Sequence, residues 1–137
     1  MEVDLKKIEE VAKKHNLELL LLFGSRAKGN MHKFSDYDFG YIGSDKLDYV
    51  KKGELGMDLE KLTGSKFVEV VDLKESGPFL LKEVVKNNQV LFAKRYAYED
   101  FFSNAVVSYL ESGRLFGLQK DLYAQTVKKY RQKIYAK

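Results

Sequence analysis

The chain has 137 residues, 45% hydrophobic and 13% aromatic, enough for one domain with a real core. It has no cysteine, so disulfides and thiolate metal sites are excluded, and no apolar run approaches the ~20 residues of a membrane span. The formal net charge of +4 favours nucleotides or acidic partners, but it is too small and too dispersed for a nucleic-acid surface. Met1-Glu2-Val3-Asp4 lacks the basic-then-apolar order of a secretion signal, so a cytoplasmic location is the expectation.

Val3, Ile8, Val11, Ala12 and His15 fall near helical spacing and predict an amphipathic helix over 3–15. His15 ends that helix and reads as a capping residue, since cations are favoured at helix C-termini, and not as a ligand. The leucines of 17–23 are too continuous for a half-exposed strand; they predict a central strand covered on both faces. Gly24 lets the backbone turn sharply and approach a ligand closely. Ser25 then caps a short helix whose free N–H groups would face an anion such as a triphosphate. Arg26 and Lys28 lie in its first turn, within reach of a phosphate or as plain surface charge. Residues 30–34 read as a loop in which His32 is solvent-exposed.

Alternation predicts a second strand over 36–42, with Asp36, Asp38 and Gly40 on one face and Tyr37, Phe39 and Tyr41 on the other. The aromatic face belongs to the core. The acidic face is bare at Gly40, which leaves room for a ligand. Two neighbouring carboxylates repel unless a cation sits between them, and oxygen ligands beside phosphates suit Mg²⁺. A turn at Gly43-Ser44-Asp45 supplies the cap of a helix over 47–62, weakened in the middle by Gly53 and Gly56. A third strand over 67–73 puts Val68, Val70 and Asp72 on one face and Glu69, with Phe67 and Val71, on the other.

Gly77-Pro78 starts the next helix, whose apolar side is Phe79, Leu80, Val84 and Val85, and Asn87-Asn88 ends it. A short edge strand follows over 89–93. From 98 to 135 the pattern is helical, with Phe101, Ala105, Val106 and Tyr109, then Leu115, Leu118 and Leu122. Ser112-Gly113 is expected to break it into two helices. So long a tail cannot be buried entirely on so small a sheet, so part of it is expected to be an apolar surface for a partner subunit.

Ten residues separate Ser25 from Asp36, and one separates Asp36 from Asp38. A P-loop is the nearest rival reading; Gly24 and Gly29 have its glycine spacing, but Asn30-Met31 stand where Lys and Ser/Thr are required. The pattern G-S-x(10)-D-x-D resembles the signature of the DNA polymerase beta-like nucleotidyltransferase superfamily. The resemblance covers roughly residues 3–94. It implies an α/β (α+β) fold, a small mixed sheet flanked by helices, organised as a minimal nucleotidyltransferase domain over 1–94. A C-terminal helical tail over 95–137 belongs to the same compact unit. In the superfamily a third carboxylate comes from a neighbouring strand. Asp72, closing an otherwise apolar strand in the right order, is assigned that place ahead of Glu69. The resemblance thus implies Asp36, Asp38 and Asp72 as catalytic carboxylates holding two Mg²⁺ ions. It also implies Gly24, Ser25, Arg26 and Lys28 as nucleotide-binding residues and ATP as substrate.

A chain this short with an aromatic helical tail is similar, within the superfamily, to the MNT antitoxins of HEPN/MNT toxin–antitoxin systems. That likeness implies a protein adenylyltransferase, moving AMP from ATP to a tyrosine of a cognate HEPN RNase toxin and so silencing it. A hetero-oligomer follows, without membrane or direct nucleic-acid binding. The residues add one argument of their own: only 95–137 follow the core, little to build an acceptor pocket, so the acceptor arrives on another molecule. Two alternatives stay open, a small-molecule nucleotidyltransferase acting on an aminoglycoside-like hydroxyl compound and a binding-only antitoxin.

Overall fold

The structure, a computed structural model, describes residues 4–24, 27 and 36–135, the side chains of 134 and 135 excepted. Four strands, β1 (Leu17–Phe23), β2 (Tyr37–Gly43), β3 (Val68–Asp72) and β4 (Asn88–Ala93), form one sheet in the order β3-β2-β1-β4. β1 pairs antiparallel with β2 and with β4, and β2 pairs parallel with β3. The helices are α1 (Leu5–Lys14), α2 (Tyr49–Thr63), α3 (Pro78–Lys86) and α4 (Ala97–Tyr135). This is the mixed α/β sheet with flanking helices that the sequence implied.

The leucine run of β1 occupies the middle because both of its faces are apolar. Leu20 and Leu22 join Tyr37, Phe39 and Tyr41 of β2 in a core closed by Ile8 and Ala12 of α1 and Leu55 and Leu59 of α2. Leu19, Leu21 and Phe23 face the other way, into a core closed by Leu81 and Val84 of α3 and Phe101 and Ala105 of α4. The aromatic face of β2 is core, as alternation required.

The boundaries have local causes. Asp4 caps α1 by accepting from the Lys6 backbone N–H at 3.0 Å. His15 is its C-cap and is buried, with Nε2 2.7 Å from Asp58 Oδ2, where Lys14 Nζ also lies at 2.9 Å. Burial pushes the Asp58 carboxyl up, and Lys14 and His15 more than offset this, leaving it below the usual carboxylate range. The cap of α2 is Asp48, accepting from Lys51 N–H at 2.8 Å, and not the 43–45 turn. Gly77-Pro78 opens α3 as expected, with Pro in the first turn where its missing N–H costs nothing.

The break expected at Ser112-Gly113 is absent: α4 is one helix of 39 residues, about 58 Å long at 1.5 Å per residue. A glycine in an exposed helix costs only about 1 kcal/mol relative to alanine, too little to interrupt a run of good helix formers. The inner part of α4 packs on the sheet and on α3. Leu115, Leu118, Leu122, Tyr123 and Tyr130 are exposed, so the tail does carry an unburied apolar surface. No described helix is long and apolar enough to cross a membrane.

Candidate active site

β1 ends at Phe23, whose partner across the antiparallel ladder is Asp38. Gly24 follows with φ +76°, the left-handed region that only glycine enters freely. A Cβ at Gly24 would collide with the Asp38 carboxylate. The glycine is therefore required twice, by its backbone angle and by the carboxylate laid against it. The two halves of the sequence motif touch at this point. Ser25, Arg26 and Lys28 lie outside the described residues, as does His32.

The parallel β2–β3 register sets Tyr37 beside Val68, Asp38 beside Glu69 and Tyr41 beside Asp72. Residues paired across neighbouring strands point to the same face of a sheet. Glu69 is thus the β3 carboxylate on the face of Asp38, and Asp72 lies on the opposite face at the far end of the strand. The structure sets Glu69 beside Asp38, with the charge of Asp36 near enough to act on it, and puts Asp72 on the other face.

Electrostatics agree with the register. Asp38 is half-buried; burial, then the charge of Glu69, a hydrogen bond with Glu69 and the charge of Asp36 push its carboxyl up to about 6. Such a bond between two carboxyls exists only while one of them holds a proton. Asp72 has another occupation. Its Oδ1 accepts from the Lys74 backbone N–H at 2.9 Å, and its carbonyl accepts from Ser76 Oγ at 2.8 Å, which turns the chain from β3 toward α3. Burial first and Asp72 second push the Tyr41 phenol up to about 12.

Position at the end of an apolar strand set Asp72 ahead of Glu69 in the sequence; the strand register puts Glu69, and not Asp72, on the face of Asp38. β2 and β3 run side by side from matching starts, so the second residue of one meets the second of the other. The room expected at Gly40 is also taken: a Cβ there would lie 2.9 Å from Leu73 Cδ2. Asp36, at the Gly24 end of β2, is exposed.

Among the described residues no three His, Cys, Asp or Glu side chains are gathered closely enough to hold a metal as they stand. The donor chemistry nevertheless fits Mg²⁺. All donors are carboxylate oxygens, and the repulsion from Glu69 and Asp36 that adds to burial in raising Asp38 is what a divalent cation would relieve.

A left-handed glycine turn at the end of a central strand is thus laid against an acidic edge of a small mixed sheet. The chain belongs to the family described as "Polymerase beta, Nucleotidyltransferase", which it matches over residues 6–97. It is similar to "Protein adenylyltransferase MntA" of Shewanella oneidensis, 31% identical over 93 residues. That alignment covers 68% of this chain and 66% of the relative, just under two thirds of its length. It is similar in structure to a chain of a crystal structure described as "the toxin-antitoxin with AMP-PNP". There the TM-score is 0.71 and the identity 27%, over 88% of this chain and 99% of that one. It also shares its fold with a chain of a tri-AMPylated Shewanella oneidensis HEPN toxin in complex with MNT antitoxin. The TM-score is 0.63 at 24% identity, over 86% and 95% of the two chains.

Proposed function

We propose that the protein is an adenylyltransferase that moves AMP from ATP to a hydroxyl on a partner protein, a tyrosine of a cognate HEPN toxin, and thereby neutralises it. The observation that carries this reading is the meeting of Gly24, Asp38 and Glu69 at one end of the sheet. The family supports nucleotidyl transfer, the similarity to a protein adenylyltransferase supports a protein acceptor, and the toxin–antitoxin structure with AMP-PNP supports ATP and a toxin partner.

The residues divide the work as follows. The Gly24 turn brings backbone against the β- and γ-phosphates without a side chain in the way, and Ser25, Arg26 and Lys28 contribute hydroxyl and positive charge to them. Asp36, Asp38 and Glu69 would hold Mg²⁺, which supplies the Lewis-acid charge that neutralises the phosphates and lowers the pKa of the acceptor hydroxyl. The acceptor oxygen bonds to the α-phosphorus as the α–β bridging bond breaks, and pyrophosphate departs with that bond's electron pair. Glu69, exposed at the strand edge, takes the proton that the acceptor loses. Asp72 takes no part.

Intact mass spectrometry tests this. The protein is mixed with ATP, Mg²⁺ and the product of the neighbouring gene, with Asp36→Asn as control. AMP-sized mass gains on the neighbour, absent in the control, are expected. A tight complex without mass gain would leave a binding-only antitoxin. Transfer to small hydroxyl compounds without any protein acceptor would overturn the protein-acceptor reading.

A further inference from the structure

Phe102, Tyr109, Phe116, Tyr123 and Tyr130 recur every seven residues along α4. A seven-residue apolar interval keeps one seam of a helix facing one neighbouring helix over many turns. α3 occupies the inner part of this seam, running antiparallel to α4. The rings of Phe79 and Phe116 stand 5.5 Å apart, and Lys82 Nζ lies 4.7 Å from the centre of the Tyr109 ring. α3 begins at Pro78, so nothing described continues its line past Phe116. The seam goes on regardless, and Tyr123 and Tyr130 are 72% and 63% exposed.

The charge flanking the open seam has one sign. Between 114 and 133, at 3.6 residues per turn, Arg114, Lys128 and the lone acid Asp121 lie on the face opposite the Tyr123–Tyr130 line, while Lys120, Lys129, Arg131 and Lys133 stand to either side of it. Two copies of the seam laid together would set these cations side by side, so self-pairing is opposed. Acidic flanks on the other helix would reverse the sign of that term.

We propose that the seam from Phe116 to Tyr130 seats a helix of a protein partner, in line with α3, whose facing residues are apolar and whose flanks are acidic. The inference goes beyond AMP transfer and does not depend on it, because no carboxylate of the candidate active site takes part.

Two labelled amphipathic peptides test it. Both carry leucine at the seam positions; one has glutamate at the flanking positions and the other lysine. Fluorescence anisotropy against the full chain is expected to show the glutamate peptide bound at least about tenfold more tightly, with affinity falling as salt is added. The variant carrying Tyr123→Glu and Tyr130→Glu is expected to lose about tenfold or more. Both side chains are exposed, so circular dichroism should show it folded. Asp38→Asn is expected to bind both peptides as the unaltered protein does. Equal binding of the two peptides, no binding of either, or no loss in the tyrosine variant would overturn the proposal. So would a dimer in sedimentation velocity that dissociates in that variant, since the occupant would then be a second copy. Binding to phosphatidylglycerol vesicles that the variant abolishes would overturn it in favour of a lipid surface.

Discussion

Ionising Asp38 sets its charge beside Glu69 and Asp36 on a half-buried strand edge, so its carboxyl keeps a proton up to about pH 6. The folded chain therefore holds this proton more tightly than the unfolded chain does. The stability contributed by Asp38 is full below the ordinary carboxylate pKa and is lost as pH rises through about 6. Without Mg²⁺, the melting temperature is expected to fall across that window more steeply in the unaltered protein than in Asp38→Asn. Saturating Mg²⁺ is expected to move the Asp38 titration, followed by carboxyl NMR, down toward the ordinary range. A midpoint indifferent to Mg²⁺ would remove Asp38 from the metal ligands. Glu69 and Asp72 can be separated directly. Glu69→Gln is expected to lower AMP transfer by about a hundredfold or more, the scale of a lost acid–base group. Asp72→Asn keeps an oxygen for the Lys74 N–H and is expected to stay within a few-fold of the unaltered rate. The opposite ranking would return the third carboxylate to Asp72. The approach of Gly24 to Asp38 was legible in the sequence because their motif is local and fixed in spacing. The pairing of Glu69 with Asp38 was not, because it is set by the register between strands distant in the chain.

Elements followed the same division. β1 declared itself as central through seven residues with no polar face, Glu18 apart, and both cores close on it. The two faces of β2 followed from alternation alone. What failed was reading an interruption from one glycine. Gly113 faces open space, with nothing within 4 Å of where a Cβ would stand, and α4 passes through it unbroken. Gly113→Ala should therefore add no clash and remove only the backbone-entropy cost of the glycine. Urea unfolding is expected to show a gain of up to about 1 kcal/mol. A loss of stability would mean that α4 needs to bend there.

At the scale of the whole molecule, the two ends of the sheet differ. Gly24, Asp38 and Glu69 gather at one end of the strands. At the other end Ile42, Leu73 and Lys74 line a cavity of about 290 Å³ with Asn104, Ala105 and Ser108 of α4. Asp38 pairs with Phe23, and Phe23 shares a core with Phe101 and Ala105, so α4 and the carboxylates lie on the same face of the sheet.

The uneven support of α4 also divides its backbone in time. A helical segment without tertiary contacts is marginal in water, since isolated helices shorter than about 12–15 residues barely hold. Amides from 98 to 116 lie on the sheet or beside α3, and their exchange with deuterium is expected to be slow, limited by opening of the domain. Among the described residues, amides from 118 to 133 have only their own helix to hold them and are expected to exchange orders of magnitude faster in the free protein. When the seam is filled, the second group should slow while the first stays unchanged. Uniform exchange along α4 in the free chain would show that its outer half holds itself, and a bound helix would then leave no kinetic trace on it.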